Sequence, residues 1–208
     1  AIRDVYKRQL IKYAFQPIID ARTGKIFAYE ALMRSQLESL KNPLHIIKLA
    51  TADSRLYEIE KITFFKALES FVRNKEEFKD AKLFINSLPN YVLSYEDRKR
   101  FEELYGEHLD RLVIELLENE RSNGDNISIK RKVIEKWNAK LAIDDFGSGY
   151  NNEAVLLAIT PDYVKIDMEI VRGIQIIYPI AIPINIDALL IKPFPYLFNN
   201  NVIILSLI

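Results

Sequence analysis

Six short apolar runs punctuate the first part of this chain, at Ala14–Ile19, Ile26–Leu32, Lys82–Asn86, Leu112–Leu116, Leu141–Asp145 and Tyr163–Asp167. Each has the length and composition of a strand. The first two flank Arg22-Thr23-Gly24-Lys25, a turn sequence that predicts a hairpin. The others are separated by stretches with a helical period. In Glu58–Phe71 the residues Ile59, Ile62, Phe65, Leu68 and Phe71 recur every three positions, which predicts a helix with one buried stripe. Ser94, with Asp97 three residues on, resembles a capping signature. Ile129, Val133, Ile134 and Trp137 fit one face of a further helix. Strands that alternate with helices predict an α/β fold whose parallel sheet is covered by helices.

This pattern stops near Gln175. Residues 176–208 carry two charged side chains, Asp187 and Lys192, and are interrupted by Pro179, Pro183, Pro193 and Pro195. No charge-free stretch there has the length of a spanning helix, and proline disfavours one. Residues 1–12 hold Arg3, Lys7, Arg8 and Lys12 with no apolar run after them, so they do not read as a signal peptide. A cytoplasmic protein is the expectation.

Composition removes several functions. Lys plus Arg and Asp plus Glu are both 29, so net charge offers no case for wrapping DNA or RNA. There is no Cys, which excludes a disulfide scaffold and a thiolate metal site. With His45 and His108 alone, a histidine-rich metal site is not expected.

What closes the strands is more informative. Glu30, Asn86, Glu115, Asp144 with Asp145, and Lys165 with Asp167 all fall near strand C-terminal ends. From Asn86 to Glu115 is 29 positions, and from Glu115 to Asp144 is again 29, which suits one βα unit per step. In a β/α barrel such ends converge on one face. Each residue alone has an ordinary explanation: a helix cap, a turn former, a surface carboxylate, a structural ion pair. Their recurrence over five strands favours a site. Carboxylates with an amide oxygen suit a hard cation such as Mg²⁺ or Mn²⁺. Glu30, Asn86, Glu115 and Asp144 suit one ion, with Asp145 toward a second, and two such ions serve phosphodiester hydrolysis. Lys165 would offset phosphate charge or orient the attacking water.

These residues stand in motifs that resemble the EAL domain family. Tyr29-Glu30-Ala31-Leu32-Met33-Arg34 resembles its signature, and Gln16-Pro17-Ile18 the segment ahead of it. Phe84-Ile85-Asn86-Ser87-Leu88-Pro89 is similar to its asparagine strand, and Glu115-Leu116-Leu117-Glu118 to its glutamate pair. Asp144-Asp145-Phe146-Gly147-Ser148-Gly149-Tyr150 is similar to its most recognisable loop, and Val164-Lys165-Ile166-Asp167 to its lysine strand. The order is also the family's.

The resemblance implies a modified TIM (β/α)8 barrel and metal-dependent opening of cyclic di-GMP to linear pGpG. It makes Glu30, Asn86, Glu115 and Asp144 metal ligands and places Asp145 on the side of a second ion. It sets Lys165 near the nucleophilic water and gives Gln16 and Arg34 to the substrate. It gives Glu118 the task of steadying the loop after Asp145, through which the family links metal binding to a homodimer. It covers residues 13–175 and sets 1–12 outside the domain, where Arg3–Gln9 resembles translated adapter sequence.

The family's later glutamate strand, thought to supply the general base, and its final glutamine strand have no counterpart after Gln175. The expectation is a barrel lacking its last two βα units, with 176–208 an aberrant, out-of-frame tail and a poor phosphodiesterase activity. The alternative is a divergent pair of strands at Ala188–Ile191 and Val202–Leu205. The alternative function is an inactive module that binds cyclic di-GMP or a protein partner.

Overall fold

The computed structural model of the chain describes residues 10–20, 23–37, 40, 42–117, 124–146, 160–166 and 202–205. Seven strands form one sheet in chain order: β1 (Ile11–Ile19), β2 (Ile26–Ser35), β3 (Lys82–Ser87), β4 (Leu112–Leu117), β5 (Lys140–Phe146), β6 (Tyr163–Ile166) and β7 (Val202–Leu205). β1 and β2 pair antiparallel, and every later neighbour pairs parallel, so six strands run together. Five helices accompany them among the described residues: α1 (Pro43–Ala52), α2 (Leu56–Arg73), α3 (Lys75–Phe78), α4 (Tyr95–Tyr105) and α5 (Gly124–Lys136). This is the α/β class expected.

The hairpin turn forms where Gly24 adopts φ +66, a left-handed backbone that glycine accepts without strain. β2 runs to Ser35 rather than Leu32, because its antiparallel register with β1 continues to Ile11↔Ser35. α1 has no counterpart in the sequence-based expectation. It starts on Asn42, whose side chain accepts the Leu44 N–H at 2.9 Å, followed by a proline in the first turn. Ser94 caps α4 as predicted, accepting from the Asp97 N–H at 3.1 Å.

α2 carries the main core seam. Ile59, Phe65, Leu68 and Phe71 are buried as predicted, and Phe64 and Ala67 join them. Phe64, Phe65, Ala67, Leu68 and Phe71 meet the outward face of the sheet, Leu83 and Ile85, Leu112 and Ile114, Leu141 and Ile143, while Ile59 packs in a second cluster with Ile11, Ile46 and Ala50. On α5 Ile134, and Trp137 just past its end, are buried as predicted and Val133 packs against the same core, but the face shifts at Ile129. Ile129 is 45% exposed, while its neighbour Lys130 is 5% exposed. Lys130 has buried partners that draw that side of the helix inward, as shown below.

Val202–Leu205 pairs with β6 from Tyr163↔Val202 to Ile166↔Leu205. The order thus gains one strand beyond the sixth, at the second position of the alternative reading, and its Val-Ile-Ile-Leu run suits a parallel strand. Ala188–Ile191 and the rest of 176–201 lie outside the described residues, as do 1–9.

Candidate functional site

Alternation along β2 to β6 sorts side chains to two faces. The odd and even sets leave Leu83, Ile85, Ile114 and Ile143 toward the helices. The opposite face carries Ala28, Phe84, Val113, Ala142 and Tyr163, which pack together as an apolar layer. Two residues further along the same strands come Glu30, Asn86, Glu115, Asp144 and Lys165. The register steps between strands, with Phe84↔Val113 and Asn86↔Glu115 but Glu30↔Phe84 and Glu115↔Ala142. Strand tilt in a barrel-like sheet brings such stepped positions together.

They converge on Lys165. Its Nζ lies 2.8 Å from Glu115 Oε1, 3.0 Å from Asp144 Oδ1 and 3.2 Å from Glu30 Oε2. Glu30, Glu115 and Lys165 are buried, and Asp144 is half-buried. Asn86 Nδ2 donates to Glu30 Oε1 at 3.4 Å, so the amide turns toward the same group.

The electrostatics follow from burial and like charge. Burial pushes the Glu115 carboxyl well above the ordinary range. Lys165 opposes that shift, and the neighbouring carboxylates of Glu30 and Asp144 add to it. Burial alone would lower the Lys165 ammonium. Glu115, Asp144 and Glu30 outweigh it and push Lys165 upward, so it stays charged. Three carboxylates therefore share one cation.

This donor set fits a further cation. The Glu30, Glu115 and Asp144 ligand oxygens lie within 4.8 Å of one another. Glu115 meets Lys165 as an ion pair, yet neither of its buried oxygens receives a well-formed hydrogen bond. A buried carboxylate oxygen without a donor is costly, and a hard cation is a partner that would satisfy it.

The other expected residues fall at the margin. Gln16 is half-buried on β1 and pairs in register with Glu30. Arg34 is exposed on β2, on the face of Glu30, and donates to the Met33 carbonyl at 2.9 Å. Asp145 is exposed at φ +54, beside a register shift in β5, and stands outside the three-carboxylate group. Glu118, Asp167 and loop residues 147–150, to which the dimer expectation belongs, lie outside the described residues. Sequence reasoning missed Glu60 and Lys130, which bind behind β3. The available signal was an acidic residue inside the buried stripe of α2.

The family model described as EAL domain matches residues 1–177. The chain is 30% identical over 165 residues to cyclic di-GMP phosphodiesterase TpdA of Vibrio parahaemolyticus, covering 77% of this chain and 27% of that protein. It is 27% identical to the blue light- and temperature-regulated antirepressor BluF of Escherichia coli, over 78% of this chain and 40% of that protein. It thus spans less than half the length of these curated relatives. Klebsiella pneumoniae BlrP1, solved with calcium and cyclic di-GMP, matches at TM-score 0.64 and 25% identity, covering 80% of this chain and 42% of that one. A manganese complex of BlrP1 with the same nucleotide matches at TM-score 0.63 and 22% identity, covering 83% and 48%. The chain belongs to the EAL domain family.

Proposed function

We propose that this EAL domain hydrolyses cyclic di-GMP to linear pGpG with divalent metal ions, Mg²⁺ or Mn²⁺. The observation that carries the reading is the convergence of Glu30, Glu115 and Asp144 on one buried point beside Asn86. Glu30, Asn86, Glu115 and Asp144 would hold one ion, with Asp145 toward a second. Such an ion polarises a phosphodiester oxygen and acidifies a bound water. Lys165 holds the carboxylates together and presents an ammonium that can orient the attacking water. Arg34 would take a phosphate in two parallel hydrogen bonds, and Gln16 would contact the nucleotide beside Glu30. The names of TpdA and of the BlrP1 complexes support the substrate and the need for a divalent ion.

Among the described residues, no helix is long and apolar enough to cross a membrane. We place the module in the cytoplasm, as a homodimer through the loop that follows Asp145.

A second reading is a module that binds cyclic di-GMP or a protein partner without hydrolysing the nucleotide. One observation favours it: BluF, 27% identical to this chain, is named an antirepressor. Mn²⁺ titration of the full chain and of Asp144→Ala tests the metal site. The wild type should bind and the variant should bind at least tenfold more weakly; equal, negligible binding by both would sink the assignment. Chromatography of the nucleotide products then separates the readings. pGpG formed at the rate of a complete EAL domain supports the enzyme, and retained cyclic di-GMP with measurable binding supports the second.

A further inference from the structure

Behind β3, on the side away from the carboxylates, lies a second buried charge cluster. Glu60 of α2 is 1% exposed, Lys130 of α5 is 5% and Ser87 of β3 is 6%. Lys130 Nζ donates to Glu60 Oε1 at 2.8 Å, to the Leu88 carbonyl at 2.9 Å and, very closely, to Ser87 Oγ. Ser87 Oγ donates to Glu60 Oε1 at 2.6 Å, and Glu60 Oε2 accepts the Leu88 N–H at 2.8 Å. All three ammonium protons have partners, both carboxylate oxygens accept, and the serine hydroxyl does both. A buried charge pair so completely satisfied is worth more than its pieces, and removing one member leaves the other exposed to the full cost of burial.

The position of this cluster gives it a task. β3 leaves the sheet after Ser87, where Leu88 loses the ladder and Pro89 has no N–H to offer. Glu60 and Lys130 take the N–H and carbonyl of Leu88, so side chains from two helices fix the exit of the strand. Successive side chains point to opposite faces. Ser87 is held on the helix side, so Asn86 is held on the other, against Glu30.

We propose that Glu60 and Lys130 are positioning residues for the metal site, setting the Asn86 end of β3 from behind. The inference rests on the reading that Asn86 belongs to that site. It differs from general stabilisation, and a contrast within the same strands tells them apart. At the opposite end of β3, Arg111 donates to the Ala81 carbonyl at 2.9 and 2.7 Å and lies 4.6 Å from the Phe71 ring centroid. It fixes the start of β3, far from Asn86.

The test uses the full chain, with Mn²⁺ as the probe. Wild type, Lys130→Met and Arg111→Met are compared for Mn²⁺ affinity and for Tm. Both variants should lower Tm. Lys130→Met should weaken Mn²⁺ roughly tenfold, the lower end for loss of an outer-shell support, and Arg111→Met should leave it unchanged. Should Lys130→Met not fold, Glu60→Gln/Lys130→Met removes both charges together; it should recover Tm while Mn²⁺ affinity stays low. Unchanged affinity in the Lys130 variants, or equal loss in Arg111→Met, overturns the proposal and leaves the metal site standing. Absence of Mn²⁺ binding by the wild type overturns the site and the proposal together.

Discussion

β2 to β6 each contribute to two neighbouring layers of the inner face, two residues apart along the strand, and the two layers have opposite characters. The lower holds Ala28, Phe84, Val113, Ala142 and Tyr163, apolar but for one tyrosine hydroxyl. The upper holds Glu30, Asn86, Glu115, Asp144 and Lys165. Backbone geometry is the same for both. Residue type alone turns one into packing and the other into a charged cluster that opposes folding unless its charges are matched. The lower layer therefore carries the stability that the upper one draws on.

The largest effect that would break this comparison is in the lower layer. Phe84 is fully buried and its ring stands 5.6 Å from that of Tyr163. Phe84→Ala should cost about 3–5 kcal/mol, read from urea unfolding, because a buried ring is removed from a layer that cannot close over the gap. A loss below about 1 kcal/mol would mean that the lower layer does not support the upper.

Next comes the cation of the upper layer. Lys165→Met keeps the stem and leaves Glu30, Glu115 and Asp144 facing one another without their shared ammonium. The variant should lose about 3 kcal/mol, the scale for breaking a buried ion pair. Saturating Mn²⁺ should raise its Tm by more than it raises that of the wild type, since the ion then supplies the missing charge. Equal shifts in the two proteins would separate Lys165 from the carboxylate site.

Much of this arrangement is legible in the sequence. The strands reveal themselves by short apolar runs, and the upper layer by a polar residue that ends five of them. That signal is local, so it survives without knowledge of the fold. What escapes is tertiary. β2 reaches Ser35 because β1 lies beside it, and Glu30 is consequently mid-strand rather than at an end. Ile129 looks like a core residue by its period, yet Lys130 takes the buried position because Glu60 waits 70 residues earlier in the chain. α1 has two buried residues, Ile46 and Ala50, too few for a periodic stripe to announce it. Asp145 directly follows Asp144, so alternation and its φ of +54 set it apart from the three-carboxylate group, a separation no sequence pattern announces.

The smallest expected effect on stability sharpens the comparison most, because it concerns a residue that belongs to neither layer. Arg34 extends the inner face of β2 one step above Leu32, four residues past Glu30, and is exposed. A structural arginine at a barrel rim would hold a carboxylate. Among the described residues, the hydrogen bond recorded for Arg34 goes to the carbonyl of its own neighbour, Met33. The residue opposite it on β1 is Lys12, a like charge, which disfavours rather than supports the pairing of the strands. Arg34→Ala should therefore leave unfolding free energy within about 0.5 kcal/mol of wild type. Cyclic di-GMP binding should behave differently. Loss of a charge-assisted hydrogen bond removes about 1.5–3 kcal/mol, so affinity measured by calorimetry should fall roughly tenfold to a hundredfold. Arg34→Lys should recover little of it, because an ammonium cannot make the two parallel bonds of a guanidinium. Intact binding combined with a large loss of stability would assign Arg34 to the fold, and the upper rim would then contribute to packing as the lower layer does.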